Sequence, residues 1–424
     1  MKKESFSARA DIDETITELV MTDDLTEKKQ LAKIILDFAH KKGIYSSSIF
    51  EFYMARGRGE FKGFTVPAIN LRSMTYDLAR AIFRVAEKNN SGAFIFEIAR
   101  SEIGYTNQLP TEYSSAVLAA AIKENYSGPV FIQGDHFQAN AAKFKENPDK
   151  EVETLQTLIA DAISSGFYNI DIDSSTLVDL SKPDLKKQQL LNYEVCAKLT
   201  QFIRRNEPKG ITVSVGGEIG EIGHQNSTPE DLNAFMAGLE ERLPNGSAGI
   251  SKISVQTGTT HGGVVLPDGS VAQVNLDFNT LRALSEIARR KYGLAGAVQH
   301  GASTLPPEAF HKFVECETAE VHLATEFQNM VYESKHFPSH LKKKIYEWLK
   351  INAANEANQG ETEEQFFYKT RKKAFGPFKK DIMGLRQKTR DAIAAEVEKK
   401  FDFLFKQLNA VNKRDLVNKY THEF

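Results

Sequence analysis

Eight short apolar segments lie between residues 64 and 324, and amphipathic segments separate them. This alternation predicts an α/β fold with a parallel sheet, and eight βα units in about 260 residues match a TIM (β/α)8 barrel. The apolar segments are hydrophobic along their whole length, which is typical of strands covered on both faces. A doubly wound open sheet is the alternative, but no glycine-rich turn follows the first strand at Ile69.

The predicted strands are short runs of mostly apolar residues. They comprise residues 64–69, 93–98, 129–133, 169–173, 211–216, 252–256, 295–299 and 319–324. The segments between them are amphipathic, which predicts helices. These predicted helices comprise residues 74–89, 112–125, 151–165, 187–206, 229–242, 277–292 and 307–316.

Two further segments flank the predicted barrel domain, residues 61–336. Residues 1–60 are expected to form an N-terminal helical segment, in which Asp24 caps a helix with apolar residues at helical spacing. Residues 337–424 are rich in Lys, Glu, Ala and Leu and contain no strand-like run. We therefore predict a C-terminal helical extension that packs on the barrel or on a partner subunit.

The composition excludes several classes of protein. The net charge of −2 gives no basic surface for nucleic acid. No run of about 18 apolar residues is present, so no membrane span is predicted. The first residues have no apolar stretch of the kind found in signal peptides. Cys196 and Cys316 have neither metal-binding nor redox spacing. These features predict a soluble cytoplasmic protein that binds neither nucleic acid nor membrane.

Three of the predicted strands lead to a histidine, namely His136, His261 and His300. Active sites of TIM barrels lie at the C-terminal ends of the strands, so the fold would bring these imidazoles together. Three protein ligands and an open fourth position characterise a catalytic zinc site. One histidine at a strand end is usually a core or rim residue, but three on separate strands favour a metal site.

Carboxylates and other polar groups also occupy predicted strand ends. Asp135 precedes His136, and Asp173 and Glu218 end two further strands, where they would orient an imidazole or bind the metal in another state. The other polar residues at strand ends are Asn70, Glu97, Arg100, His322 and Thr325.

Glycine and hydroxyl residues indicate a phosphate site. Gly262 and Gly301 each follow a histidine directly, and Ser303 and Thr325 follow the last two strands. Backbone amides at glycine-rich turns and helix N-termini bind phosphate, and TIM barrels often bind it after strands seven and eight. Helix capping is the alternative interpretation for the two hydroxyl residues.

Six short motifs resemble, in this order along the chain, those of the class II, metal-dependent ketose-bisphosphate aldolases. They are Gly134–His136, Ile172–Ser175, Gly217–Gly223, Thr257–Gly262, Gln299–Ser303 and Ala324–Glu326. The segment Phe64–Asn70 also resembles the first strand of that family, which includes the fructose-1,6-bisphosphate and tagatose-1,6-bisphosphate aldolases. The resemblance extends over residues 60 to 335.

The resemblance implies a TIM barrel that uses zinc, or another divalent metal, to cleave a phosphorylated ketose into dihydroxyacetone phosphate and an aldehyde. His136, His261 and His300 are the implied metal ligands, with Asp173 and Glu218 near the metal. A metal that stabilises the enediolate makes a Schiff-base lysine unnecessary.

The resemblance also assigns substrate contacts. Asp135 is implied as the acid/base for the C4 hydroxyl, and Gly262, Ser303 and Thr325 as the cradle of the ketone-side phosphate. The further residues that we predict to contact substrate are Asn70, Arg100, Gly301 and His322. Neither Lys143 nor Lys252 lies at an evident strand exit, which disfavours a lysine-dependent mechanism.

Several positions depart from the family pattern. His322 stands where the family has an asparagine that contacts substrate, and Ala99 stands where it has a serine, with Arg100 beside it. The loop after Gly223 lacks the usual run that carries a catalytic acid, so that acid is unassigned. These departures indicate an altered substrate or an altered pose of the same one.

Two other functions remain as alternatives. A sugar-phosphate isomerase or epimerase would use the same barrel, and a non-catalytic accessory subunit of a tagatose-bisphosphate aldolase complex would lack turnover. Retention of Asp135, His136, His261 and His300 argues against the accessory subunit. Members of the family are oligomeric and extra helices often form interfaces, so we expect a homo-oligomer, either a dimer or a tetramer.

Overall fold

The computed structural model describes residues 11–220, 225–258 and 276–421. Its strands form one sheet in which every pairing is parallel. The strands are β1 (Ile44–Ser47), β2 (Val66–Asn70), β3 (Ile95–Ala99), β4 (Gly128–Gln138), β5 (Asn169–Asp173), β6 (Ser214–Glu218), β7 (Lys252–Val255), β8 (Ala297–Gln299) and β9 (Glu320–Leu323).

Strands β2 to β9 close into a barrel. Each pairs with the next along the chain, and β9 pairs with β2, so that Val66 lies opposite Glu320 and Ile69 opposite Leu323. Seven of the eight barrel strands are buried along their whole length, as strands covered on both faces must be. The predicted TIM (β/α)8 barrel is confirmed.

Helices surround the barrel and extend beyond it. They are α1 (Ile12–Met21), α2 (Leu25–Lys41), α3 (Phe50–Gly57), α4 (Thr75–Lys88), α5 (Arg100–Thr106), α6 (Pro110–Lys123), α7 (Ala141–Glu146), α8 (Pro148–Ser164), α9 (Leu185–Gln188), α10 (Leu190–Asn206), α11 (Pro229–Glu240), α12 (Phe278–Tyr292), α13 (Phe310–Glu315), α14 (Thr325–Glu333), α15 (Ser339–Asn352), α16 (Glu363–Thr370), α17 (Lys379–Met383), α18 (Gln387–Gln407) and α19 (Arg414–Asn418). Within the part of the chain that the structure describes, no helix is long and apolar enough to cross a membrane.

The segment before the barrel is mainly helical, as predicted, and Asp24 caps α2. Its carboxylate accepts hydrogen bonds from the backbone amides of Thr26 and Glu27, at 2.7 and 3.3 Å. Strand β1 was not predicted, and it pairs with β4 outside the closed barrel. Helix α3 packs Phe52 and Tyr53 against residues near the starts of the barrel strands, so it covers the end opposite the strand exits.

The C-terminal extension packs along the barrel helices. Helix α18 lies against α4, where Arg390 forms an ion pair of 3.1 Å with Asp77 and both side chains are buried. A short 3-10 helix, Arg371–Ala374, contacts α5 at the strand-exit side of the barrel, and Gly376 donates a backbone hydrogen bond to Tyr105. The division into residues 1–60, 61–336 and 337–424 stays a prediction.

Candidate active site

A cavity of about 520 Å³ opens at the C-terminal ends of the barrel strands. The predicted site residues that line it are Asn70, Arg100, Asp135, His136, His300, Gly301, Ser303, His322 and Thr325. Asp173 and Glu218 contact His136 from behind. His261 and Gly262 lie outside the described residues. The fold therefore brings most of the predicted residues to one place.

His136 stands at an irregularity in β4. The pairing with β5 shifts register between Gly134 and Phe137, and the backbone of His136 has a φ of 40°, in the left-handed region. Such a conformation costs roughly 1–3 kcal/mol for a residue with a side chain. Bulges next to active sites re-aim a side chain, and this one lies where β4 reaches the cavity.

Two carboxylates hold one side of the His136 ring. Its Nδ1 lies 3.1 Å from an oxygen of Asp173 and 3.1 Å from an oxygen of Glu218. Its Nε2 faces Asp135 at 3.9 Å. Burial alone would lower the pKa of His136, but the charges of Asp135 and Glu218 raise it well above its usual range. Asp173 and Glu218 thus contact the imidazole as carboxylates do behind metal-binding histidines, and the three side chains also offer donor atoms within 4.8 Å of one another.

The same two carboxylates titrate differently. Burial, together with the charge of Asp173, raises the pKa of Glu218 to about 7. Burial also acts on Asp173, but hydrogen bonds from His136 and Ser175 lower its pKa to about 2. Glu218 is therefore the carboxyl group of this pair that takes up a proton first as the pH falls.

His300 and His322 complete a row of three imidazoles. The ring centroids of His136 and His300 are 4.1 Å apart, and those of His300 and His322 are 4.2 Å apart. Asp135 Oδ1 lies 3.4 Å from His300 Nε2 and 3.1 Å from His322 Nδ1. Burial and the charges of His136 and His322 lower the pKa of His300 well below its usual range. His300 is thus neutral, which is the form that binds a metal.

The donor set fits a divalent metal ion. Asp135, His136 and His300 each offer a donor atom, and these atoms all lie within 4.8 Å of one another. Tetrahedral bonds of 2.0–2.2 Å place ligand atoms about 3.3–3.6 Å apart, close to the 3.4 Å between His300 Nε2 and Asp135 Oδ1. Imidazole and carboxylate donors are those that Zn²⁺ takes in proteins.

The contacts among polar residues inside the barrel were not predicted from the sequence. Lys252 is 0% exposed, and its Nζ contacts Asp171 at 2.9 Å, Glu320 at 2.6 Å and Gln133 at 2.6 Å. His322 Nε2 lies 2.6 Å from Glu320. Lys252 is therefore held among carboxylates below the cavity. Lys252 thus lies away from the strand exits, as expected, whereas Lys143, in the helix that follows β4, does line the cavity.

Two cations in the cavity wall were also missed. Arg72 follows β2 and binds Glu102 at 2.6 Å and Gln328 at 3.0 Å. Lys372 reaches the cavity from the C-terminal extension, and its side chain has no hydrogen bond or ion pair with any described residue. Burial and the charge of Arg72 lower the pKa of Lys372. No signal in the sequence placed Lys372 at the mouth, because that depends on how the extension folds back.

Two other side chains predicted to contact substrate, Arg100 and Asn70, already form contacts within the protein. Arg100 forms an ion pair of 2.5 Å with Glu151 and donates to the Gln138 carbonyl at 2.6 Å. Asn70 donates to Glu102 at 2.6 Å, and its buried Oδ1 has no hydrogen-bond partner among the described residues. Asn70 therefore keeps an acceptor for a hydroxyl group, while Arg100 is already engaged in an ion pair.

Two of the residues predicted to bind phosphate meet at the start of α14. Thr325 is its first residue, and Ser303 Oγ accepts a hydrogen bond from the backbone amide of Glu326 at 3.3 Å. Gly301 has a φ of 67°, which a side chain would strain. Earlier in the chain, Asp231 caps α11 together with Thr228. The catalytic loop acid stays unassigned, since residues 221–224 lie outside the described residues.

Comparison with known proteins gives a family and a fold. A family model described as class-II fructose-bisphosphate aldolase matches residues 58–409, which is most of the chain. A comparison with curated proteins found no match.

Three solved structures share the fold. A protein from Sinorhizobium meliloti described as a probable tagatose 6 phosphate kinase has a TM-score of 0.55 and 16% identity, over 84% of this chain and 99% of that one. A fructose-bisphosphate aldolase from Campylobacter jejuni has a TM-score of 0.50 and 17% identity, over 88% of this chain and 97% of that one. A fructuronate-tagaturonate epimerase from Cohnella laeviribosi has a TM-score of 0.54 and 11% identity, over 93% of this chain and 86% of that one. At these identities the likeness shows the fold alone.

Proposed function

Since the chain belongs to the class II fructose-bisphosphate aldolase family, we propose that it cleaves and forms a carbon–carbon bond in a phosphorylated ketose. The substrate is of the fructose 1,6-bisphosphate type, and the products are dihydroxyacetone phosphate and an aldehyde. The observation that carries the proposal is the position of Asp135, whose carboxylate lies between His300 and His322 on the wall of the cavity.

His136 and His300, with His261 as the third implied ligand, would hold Zn²⁺ or another divalent metal. When bound, such an ion supplies a Lewis acid that stabilises the negative charge developing on the ketone oxygen as the bond breaks. Asp173 and Glu218 keep the ring of His136 in place through their contacts with its Nδ1. This contact leaves Nε2 for the metal.

Asp135 is the group that exchanges a proton with substrate. In the cleavage direction the C4 hydroxyl gives its proton to the carboxylate while the C3–C4 bond breaks and its electron pair moves toward the carbonyl. Burial would raise the pKa of Asp135, but the neighbouring charges of His136 and His322 hold it well below its usual range. The base form is therefore present throughout the neutral range.

The cavity wall carries groups that suit an anionic substrate. Ser303 and Thr325 stand at the N-terminus of α14, where backbone amides favour a phosphate. Lys372 adds positive charge to the wall, together with Arg72, which is also paired with Glu102. We assign the ketone-side phosphate to the first pair of residues and the distal anionic group to the second.

An assay with purified full-length protein tests the proposal. Protein supplied with Zn²⁺ is incubated with fructose 1,6-bisphosphate or tagatose 1,6-bisphosphate, and triose phosphate release is followed with and without EDTA. We expect release that EDTA abolishes. Cleavage undiminished by EDTA would refute the metal mechanism, an epimerised hexose without triose would indicate the epimerase alternative, and no turnover would favour the accessory subunit.

We also propose a homo-oligomer, a dimer or a tetramer, located in the cytoplasm. The extra helices outside the barrel support the first part of this proposal, because such helices often form subunit interfaces. Light scattering coupled to size-exclusion chromatography measures the subunit number directly.

A further inference from the structure

Glu97, Asp135 and His322 form a second group of metal donors beside the first. Their donor atoms all lie within 4.8 Å of one another, and all three side chains line the cavity. We propose that these three residues bind a second divalent metal ion, so that the centre is binuclear. The proposal extends the proposed function, because Asp135 would then serve both ions.

The orientation of His322 supports a metal ligand. Its Nε2 lies 2.6 Å from Glu320, and Glu320 is itself held by Lys252 at 2.6 Å and by the hydroxyl of Tyr53. A metal-binding histidine almost always has its second nitrogen tied to a carboxylate in this way. The arrangement leaves Nδ1 of His322 facing the cavity side of the group.

Two carboxylates converge on that Nδ1. It lies 3.1 Å from Asp135 Oδ1 and 3.2 Å from Glu97 Oε2. The hydrogen bond of this nitrogen goes to Asp135, whereas Glu97 Oε2 accepts from Gln133. A metal ion between the three side chains would bind all three, and the distances are close to those between ligand atoms around Zn²⁺, about 3.3–3.6 Å.

Glu97 gives an independent indication. It is 0% exposed, its Oε2 accepts a hydrogen bond from Gln133 at 3.0 Å, and its Oε1 has no hydrogen-bond partner among the described residues. A buried carboxylate oxygen without a partner is costly. A cation bound next to it would remove that cost.

The carboxylates around His322 differ in their contact with lysine. Glu97 and Asp135 face His322 from one side, and Asp171 and Glu320 face it from the other. Lys252 contacts only the second pair, at 2.9 and 2.6 Å. The first pair therefore has no lysine or arginine in contact among the described residues. We place the ion on the side of Glu97 and Asp135 for this reason.

Asp135 would bridge the two ions. Its Oδ1 lies 3.4 Å from His300 Nε2 and 3.1 Å from His322 Nδ1. Centres with two metal ions about 3.5–4 Å apart commonly share a bridging group. A protonated His322 without metal is the competing account, since an imidazolium would also attract the carboxylates.

The test counts metal ions in the full-length protein. Metal-free protein is dialysed against Zn²⁺, and the bound ion is measured by plasma mass spectrometry. We expect about two equivalents per chain for the unmodified protein, and about one for both Glu97→Gln and His322→Asn. The control is Glu151→Gln, a buried acid that pairs with Arg100 outside the group, and it should keep both equivalents.

A second measurement does not depend on counting. Mn²⁺ bound at two bridged positions gives a spin-coupled signal in electron paramagnetic resonance, and Glu97→Gln should convert it to the signal of an isolated ion. Circular dichroism of each variant checks that the barrel remains folded.

The outcomes separate this proposal from the aldolase assignment. One equivalent in the unmodified protein, or two that persist in both variants, would overturn the second site even if the enzyme cleaves bisphosphates. Conversely, two equivalents in the unmodified protein and one in each variant would support the binuclear centre even if no ketose phosphate is cleaved.

Discussion

At the scale of single residues, the surroundings of each ionisable side chain decide what it can do. His300 and His322 are both buried histidines in contact with Asp135, yet their pKa values move in opposite directions. Burial and two cationic neighbours lower the pKa of His300, whereas Glu97 and Asp135 outweigh burial and raise that of His322. His300 is thus a neutral base, whereas His322 carries a proton that a metal bound at its Nδ1 would displace.

Replacing Asp135 tests the proposed proton transfer. Asp135→Asn keeps the shape of the side chain but removes its basicity, and loss of a general base typically lowers rate by roughly 10²–10⁴-fold. We expect kcat for bisphosphate cleavage to fall in that range while His136 and His300 still hold about one equivalent of metal. Steady-state kinetics and metal content are measured on the same samples, and an unchanged kcat would remove Asp135 from the mechanism.

The pH dependence of metal binding follows from Glu218 and His136. Both pKa values are raised, that of Glu218 to about 7, so protons occupy these groups at acidic pH and compete with the cation. Zn²⁺ affinity should therefore rise as pH increases from about 5 to 8, because binding releases protons. Calorimetric titration at several pH values measures this, with Glu218→Gln as comparison. An equally steep dependence in the variant would show that Glu218 does not contribute.

At the scale of secondary-structure elements, strand ends and short helices position the site. The irregular end of β4 places Asp135 and His136 side by side on the cavity wall. The 3-10 helix Arg371–Ala374 adds Lys372 to the wall through its contact with α5. Strand bounds followed from the apolar pattern to within a few residues, whereas α5 and α7 were missed because they are short.

Lys372 tests the contribution of the extension to substrate binding. An ionic hydrogen bond contributes about 1.5–3 kcal/mol, so Lys372→Met should raise KM for a bisphosphate roughly 10- to 100-fold with a smaller change in kcat. Lys373→Met is the matched control, since Lys373 lies in the same helix and pairs with Glu356. Equal KM values for both variants would show that the distal anionic group of the substrate does not bind Lys372.

At the scale of the whole molecule, the extension and the barrel share one core. Buried residues of α18 face α4, and the buried pair of Arg390 and Asp77 joins the two helices. Two clusters of packed side chains run through the described residues, the larger one continuous from the N-terminal helices to the extension. This packing suggests that the barrel depends on the extension for its stability.

Truncation tests that dependence. Removing residues 337–424 would uncover the apolar face of α4 and remove Arg390, the ion-pair partner of Asp77. Exposed apolar surface that is buried in the intact protein destabilises the fold and favours aggregation. We expect the shortened chain to be insoluble or unfolded by circular dichroism. A truncated chain that melts like the intact protein would instead support an independent domain at residues 61–336.

The amino-acid sequence by itself determined the barrel and the placement of Asp135, His136 and His300 at its mouth. Apolar periodicity and position at a strand end are local properties, so a linear pattern reports them. Only the tertiary structure decided which groups meet inside the barrel, where Glu320 contacts both His322 and Lys252. It also decided that Lys372 lines the cavity. These contacts arise when the sheet closes and the extension folds back, and a linear pattern carries no distance between segments so far apart in the chain.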